Sequence, residues 1–381
     1  MIDITNYIEE IEKRVSIDEG ITAIEQFLIN VYFENPIPNK ELARKLRLPI
    51  PLITAIKKEF IKVGIVKQHR GITMTSKGNA YVENNLGYQG LDKALYTALD
   101  HEIGNMDERF MEETFSEEIR LMKDIFDKRP TVDLAVDQAH CTYMTSLKRS
   151  LLALRHHMLI NKKILCIGDD DLVSVSLGLL LRKLYQGHDK SKSEIHVVDI
   201  DERYLAYIDE VSSQYGLPIT CHRQDLREGI DQELIGRFDC FYTDPPYTIN
   251  GMRLFLSRGI AALKKIKGLP VFFSFAHKPY DYCYQLMGKF YEMGLCIHRI
   301  MPKFNIYEGA SIIGNIGQMI VLYTTSYTNT DIREDEYYEE RLYTREVKRS
   351  LRGDMNMRPA YKDGGDKLNS SPMGKSKGDV Q

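Results

Sequence analysis

No two of the six cysteines in this 381-residue sequence form a CxxC pair. Cys141, Cys166, Cys221, Cys240, Cys283 and Cys296 are scattered, several inside apolar runs, as buried free thiols are. The spacing excludes a zinc ribbon and gives no disulfide framework, which fits a reducing compartment. Long apolar runs are missing too: none approaches the roughly 20 residues that cross a bilayer. Met1-Ile2-Asp3-Ile4 lacks the basic stretch and apolar block of a secretory signal. A cytoplasmic protein with no membrane partner is expected. Nor is there an excess of positive charge. Lys and Arg number 51 against 54 Asp and Glu, a formal net charge of −3, so the molecule as a whole is not built to hold a polyanion.

What is present divides into four segments. The chain is longer than one ordinary domain, and its 43% hydrophobic residues suffice for a large core. Residues 1–90 are expected to form an N-terminal winged-helix domain. Ile21, Ile24, Leu28 and Val31 have helical spacing, and Pro36-Ile37-Pro38-Asn39 breaks the chain. Residues 40–46 and 52–63 give two more helices, the last stopped by Gly64. Ile65-Val66-Lys67 and Ile72-Thr73-Met74-Thr75 then flank His69-Arg70-Gly71 as a wing. Lys57, Lys58, Lys62 and Arg70 are the candidates for a DNA contact. Their modest charge density favours a packing or dimerisation module instead, so a homodimer is expected and a nucleic-acid partner is not.

Residues 91–160 read as a helical connector. Leu121, Ile125 and Phe126 form one apolar stripe, ended by Pro130, and a second helix runs from Ser146 to Ile160 through Arg155-His156-His157. Neighbouring histidines on a helix point about 100° apart. They are therefore read as charge at the helix C-terminus and not as a metal face.

Residues 161–330 change pattern. Strands are predicted at 164–167, 195–198, 218–222, 238–243, 270–275, 295–301 and 317–325, with helices at 172–184, 204–215, 252–266 and 280–293. This alternation predicts a doubly wound, mostly parallel α/β sheet, a class I methyltransferase-like Rossmann domain. Ligands of such sheets lie outside the carboxyl ends of the strands. Residues 331–381 are a tail. Residues 331–340 hold six carboxylates and one Arg, and the chain beyond Arg352 has few apolar residues, as flexible segments do. The stretch around Tyr337-Tyr338 is read either as a lid over a cationic ligand or as plain solvated chain.

Four motifs sit where strands end. Gly168-Asp169-Asp170-Asp171 follows the first strand with one glycine and three aspartates, where a dinucleotide site would have glycines. Capping explains one aspartate. Three adjacent carboxylates call for a bound cation, a metal or a polyamine. Asp199, ending the second strand, stands where a carboxylate accepts from ribose hydroxyls, and Asp201 suits a helix cap. Asp225, in Gln224-Asp225-Leu226 after the third strand, can accept from an adenine amino group. Asp244-Pro245-Pro246-Tyr247 follows the fourth strand. Its prolines make a rigid turn that presents a carboxylate and a ring face to an incoming amine.

Together these motifs resemble the branched-chain polyamine synthases, the N4-bis(aminopropyl)spermidine synthase family. The telling segments are Asp137-Gln138 with Thr142; residues 167–171; Asp244-Pro245-Pro246-Tyr247-Thr248 with Gly251 and Leu254-Phe255; residues 274–278; and residues 302–310. One departure is Met144, where the family often has an acidic residue. The resemblance implies transfer of 3-aminopropyl groups from decarboxylated S-adenosylmethionine to the secondary amine of spermidine, with methylthioadenosine released. It implies no metal and no permanently bound cofactor; the decarboxylated donor is a co-substrate and a polyamine the partner molecule. Gly168, Asp169, Asp171, Asp199, Asp225 and Leu226 are then expected around the donor, and Asp137, Gln138, Asp170, Asp244, Pro245 and Tyr247 around the acceptor. By likeness to linear aminopropyltransferases, Asp171 takes the terminal amine of the donor. Asp244, helped by Asp170 and Tyr247, binds the attacking amine.

The charge sign supports this reading independently. A sulfonium without its carboxylate and a polycationic acceptor both favour acidic walls, whereas the carboxylate of S-adenosylmethionine is repelled by them. Each charge pair at about 4 Å is worth on the order of 4 kcal/mol before desolvation. Two rivals remain at this point. Asp-Pro-Pro-Tyr is also the motif of amino-methyltransferases acting on DNA or RNA, and a polyamine-sensing regulator reading DNA through the winged helix would be a non-enzyme.

Overall fold

The computed structural model describes residues 5–15, 17–102, 107–186, 191–309, 314–329 and 342–343. The acidic stretch 331–340 and the chain beyond Arg352 lie outside the described residues. No described helix is long and apolar enough to cross a membrane.

The N-terminal part is α1 (Thr5–Val15), α2 (Ile21–Phe33), α3 (Asn39–Leu46), α4 (Ile50–Lys62), the hairpin β1 (Val66–Gln68) with β2 (Ile72–Met74), and α5 (Ser76–Asn84). Gly64 ends α4 at φ 72°, and a bridge from Ile37 to Ile72 adds a third backbone partner to the hairpin. Next come α6 (Lys93–Glu102), α7 (Glu108–Thr114), α8 (Ser116–Lys128) and α9 (Tyr143–Arg155). Helix α9 stops five residues before the predicted Ile160. His156 is its C-cap and His157 takes a left-handed φ of 56°. The predicted positive charge there is overturned: burial pushes the imidazole of His156 down to about 3 and that of His157 down as well.

The remainder is one seven-stranded sheet in the order β5-β4-β3-β6-β7-β9-β8. Its strands are β3 (Lys163–Ile167), β4 (Glu194–Asp199), β5 (Ile219–Arg223), β6 (Cys240–Thr243), β7 (Pro270–Ala276), β8 (Leu295–Ile306) and β9 (Ile316–Thr324). The first five are parallel, and β9 runs antiparallel to both β7 and β8. Helices α10 (Val173–Tyr185), α11 (Glu202–Tyr215), α12 (Ile249–Ala262) and α13 (Tyr280–Glu292) cover the two faces. The central strands are apolar throughout because both faces are covered: every residue of β6 and β7 is buried. Alternate residues feed two cores. Cys166, Val197, Tyr242 and Phe272 face one that continues into α9–α11 and the N-terminal helices. Leu165, Val198, Phe241 and Phe273 face the other, under α12 and α13.

This topology positions the site. The chain leaves β3 for β4 on one side and later returns to β6 on the other. The carboxyl ends of β3, β4 and β6 therefore open on one crevice at the topological switch point.

Candidate active site

The crevice is lined by Asp137, Gln138, Gly168, Asp170, Asp171, Asp199, Asp244, Pro245 and Tyr247, so most of the predicted residues converge there. Asp225 and Leu226 line a neighbouring cavity that shares Gly168 and Asp199 with it. Asp169 lines neither.

The three adjacent aspartates have three different environments. Gly168, at φ 69°, lets the chain turn sharply off β3, and its N–H donates to Val198 O at 2.9 Å. Asp169 points inward and accepts from Val173 N at 2.7 Å and Ser174 N at 3.1 Å, capping the first turn of α10. Burial nevertheless lifts its carboxyl to about 7. Asp171 is buried as well. Its Oδ1 accepts from Cys141 N at 2.6 Å and its Oδ2 from Arg149 Nη1 at 2.5 Å. Burial works to raise this carboxyl, but the guanidinium and the N–H outweigh it and hold the group below the usual range. Asp170 faces the crevice between them. Its one described hydrogen bond is from Ala139 N at 3.2 Å. Burial, with Asp171, Asp199 and Asp244 close by, holds it well above the usual carboxylate range.

Arg149 was not anticipated from the sequence. It projects from α9, 2% exposed, and joins four elements. Besides Asp171 it reaches Asp244 Oδ2 at 2.8 Å, Asn305 Oδ1 at 3.0 Å and the Tyr307 hydroxyl at 3.3 Å. Asp244 is thus saturated: Tyr247 OH donates to its Oδ1 at 3.0 Å and Tyr307 OH to its Oδ2 at 2.7 Å. Burial lifts Asp244 to about 6 against the pull of Arg149. The signal for Arg149 was its helix face. Ser146, Arg149, Ser150 and Ala153 share one side of α9 with small, buried neighbours, so the arginine had to meet a buried charge. Tyr307 and Asn305 lie in the 302–310 segment, which had been singled out without roles.

The Asp-Pro-Pro-Tyr turn is held at both ends. Thr248 caps α12 by accepting from Gly251 N at 2.9 Å, and a Cβ on Gly251 would sit 2.8 Å from Pro246 Cβ. Thr248 also donates to Leu342 O at 2.7 Å, which brings Tyr343 to line both cavities. The Tyr247 ring is not bare: the Lys278 ammonium lies 5.8 Å from its centroid and 5.1 Å from that of Tyr282.

On the other side, Asp199 accepts from Asp201 N at 2.9 Å and Asp169 N at 3.0 Å, and burial raises its carboxyl. Asp225 accepts from Arg227 N at 3.0 Å and is ion-paired to the Arg227 side chain, which lowers it. Gln138 ties Asp201 Oδ2 at 3.1 Å to Asp133 N at 2.7 Å, and Asp137 sits beside it at φ 58°. Among the described residues no group of three or more His, Cys, Asp or Glu is arranged to hold a metal ion.

Comparison with known proteins places this geometry. The chain is 36% identical over 309 residues to an uncharacterized protein of Methanocaldococcus jannaschii, covering 81% of this chain and 75% of that one. It is 34% identical over 218 residues to the N(4)-bis(aminopropyl)spermidine synthase of Thermococcus kodakarensis, a match that takes in 57% of this chain and 58% of the relative. In fold it is similar to the branched-chain polyamine synthase of Thermus thermophilus, solved with N4-aminopropylspermidine and 5'-methylthioadenosine. That match has a TM-score of 0.50 and 20% identity, and covers 88% of this chain and 95% of the other. The family model for the branched-chain polyamine synthase A C-terminal domain matches residues 117–364, so the N-terminal helices precede it, and the chain belongs to the branched-chain polyamine synthase family.

Proposed function

We propose that this protein transfers 3-aminopropyl groups from decarboxylated S-adenosylmethionine to the N4 secondary amine of spermidine, giving N4-aminopropylspermidine, N4-bis(aminopropyl)spermidine and methylthioadenosine. The observation that carries the reading is Asp170, a carboxylate facing the crevice with no cation on it among the described residues, beside two carboxylates that share one arginine. A cationic ligand completes that balance, and an anionic one does not.

In this mechanism Asp199 holds the ribose, and Asp225 and Leu226 the adenine. Asp171 was expected to take the donor's terminal amine, but both its oxygens are engaged by Cys141 and Arg149, so that contact is assigned to Asp170. Asp169 serves through the α10 cap that fixes the loop. The ring of Tyr247 faces the attacking nitrogen, and Asp244, held by Arg149, Tyr247 and Tyr307, contributes the charge of its carboxylate to that side, with Asp137, Gln138 and Pro245 forming the acceptor wall. The neutral amine attacks the methylene next to sulfur, the C–S bond breaks, and its electron pair stays on methylthioadenosine. In the first addition the nitrogen loses a proton, which passes to Asp170, whose raised affinity for protons suits it to receive one. In the second the tertiary amine has no proton to lose, and the product keeps its positive charge as a quaternary ammonium. Positioning and charge supply the rate, with no covalent enzyme intermediate.

The N-terminal unit is a winged helix in this reading, supported by its helix-helix-helix-hairpin order and the Ile37–Ile72 bridge. It serves packing and not DNA: Lys57 is engaged by Gln68 at 2.9 Å and Lys62 by Glu59 at 2.5 Å. Buried free thiols at Cys141, Cys166 and Cys240 suit a cytoplasmic enzyme.

A mass-spectrometric product assay with spermidine tests the proposal, using the decarboxylated donor and S-adenosylmethionine in parallel. Methylthioadenosine with branched polyamine, from the decarboxylated donor alone, is expected. Methyl transfer from S-adenosylmethionine would replace the proposal with the methyltransferase reading.

A further inference from the structure

The sheet has a second concave site at its other end. The crevice opens at the carboxyl ends of β3 and β6, and a cavity of about 400 Å³ lies at their amino ends, lined also by α1, α2 and α5. Strand β3 is five residues long, so roughly 15 Å of strand separates the two. Protein interiors leave few spaces larger than a water molecule, and several hundred cubic ångströms is the size of a small-molecule site. Nothing in the aminopropyl-transfer mechanism uses this space.

Its walls suit a ligand that is part apolar and part polar. Ile21, Ile29 and Leu86 give apolar surface, and the rings of Tyr81 and Tyr88 line it as well. Two hydroxyls on the lining have no partner. Tyr81, 4% exposed, and Thr22, 8% exposed, make no side-chain hydrogen bond among the described residues. A buried hydroxyl left unpaired costs free energy, so two on one cavity point to a ligand with polar edges.

The charges of the cavity decide what that ligand is. Its ionic groups pair with each other: Lys162 Nζ lies 2.7 Å from Glu25 Oε2, and Lys264 Nζ lies 2.6 Å from Asp239 Oδ1. His157, on the same wall, is held neutral by burial. Glu9 stands exposed at the rim, where water screens it. The crevice has the opposite character, with Asp170 facing it and no cation on that carboxylate among the described residues. A charged ligand entering the cavity would have to compete with one of the two pairs, and a neutral one would not.

We propose that this cavity is a second binding site for a neutral adenine nucleoside, the methylthioadenosine that the reaction releases. In the aminopropyl-transfer reading, on which this assignment rests, the donor carries a sulfonium and an ammonium, and the acceptor and branched products are polycations. The nucleoside is the one neutral component. Its flat base suits the wall of Tyr81 and Tyr88, and its methylthio group suits the apolar side. The hydroxyls of Tyr81 and Thr22 serve the polar edges of base and ribose. Product released at one end of the sheet is thus read at the other, between the N-terminal unit and the catalytic domain.

Calorimetric titration of the full chain with methylthioadenosine tests this. Two equivalents per chain are expected, one in the crevice and one in the cavity. Ile266, 40% exposed at the mouth of the cavity, can take a larger side chain without entering the core. Ile266→Trp should close the mouth and remove one equivalent, with turnover at saturating substrate unchanged. Asp199→Asn should weaken the other equivalent. Tyr81→Phe keeps the ring and loses the hydroxyl, and should weaken the cavity equivalent about fivefold or more; its result decides if Ile266→Trp does not fold. Should the aminopropyl reading alone fail, Asp199→Asn leaves binding untouched and Ile266→Trp still removes an equivalent. A count that Ile266→Trp leaves unchanged would overturn the proposal, whatever Asp199→Asn does.

Discussion

The two halves of the crevice are built differently. On the β4–β5 side the carboxylates are held mainly by backbone and by their own turns: Asp199 by Asp201 N two residues away and by Asp169 N of the neighbouring loop, and Asp225 by Arg227 two residues away. On the β3–β6 side, Asp171 and Asp244 are held by Arg149, at sequence distances of 22 and 95 residues, and Asp244 also by Tyr307, 63 residues away. A turn keeps its shape when one side chain changes. A shared guanidinium does not, because removing it leaves two buried carboxylates facing each other. The account therefore expects one side to fail as a unit and the other to degrade piecemeal.

The largest effect should come from Arg149→Met. It strands Asp171 and Asp244 and should cost about 3–5 kcal/mol of stability by chemical denaturation, with activity lost. Arg149→Lys should fold and supply the pH test. Asp244, at about 6, is ionised above that pH and protonated below it, so kcat/KM should fall as pH drops through about 6. Lysine forms fewer of the bonds that favour the ionised form, so this acid limb should move to higher pH. An unmoved limb would mean that Asp244 does not report on the reaction.

Smaller effects follow in order. Asp170→Asn should lower kcat about a hundredfold or more with the melting temperature nearly unchanged, and wild-type turnover would remove Asp170 from the chemistry. Tyr307→Phe deletes one of three donors to Asp244 and should reduce kcat/KM by about tenfold. Asp225→Asn, on the locally built side, should raise KM for the donor several-fold and leave kcat alone. A drop in kcat of about tenfold for Asp225→Asn would erase the distinction between the halves.

The same contrast explains what could be read beforehand. Apolar runs located the five parallel strands within about two residues, since buried parallel strands are apolar throughout, whereas the antiparallel edge strand β8, largely exposed, runs on to Ile306 beyond its predicted end at residue 301. The aspartates at strand ends were legible because their position follows from topology. Asp169 shows the limit. Its neighbours made it look like a ligand contact, and only the turn geometry reveals a helix cap. Arg149 and Tyr307 escaped because their partners are brought together by the fold and by no local spacing. The early end of α9 escaped too: His157 adopts a left-handed conformation that no pattern of apolar residues announces.

The central claim is that the acidic crevice selects a donor without a carboxylate. Calorimetric titration of the protein with decarboxylated S-adenosylmethionine and with S-adenosylmethionine, at one pH and salt concentration, measures it directly. The account predicts at least tenfold tighter binding of the decarboxylated form, with the gap narrowed in Asp170→Asn. Equal affinity, or a preference for S-adenosylmethionine, would contradict it.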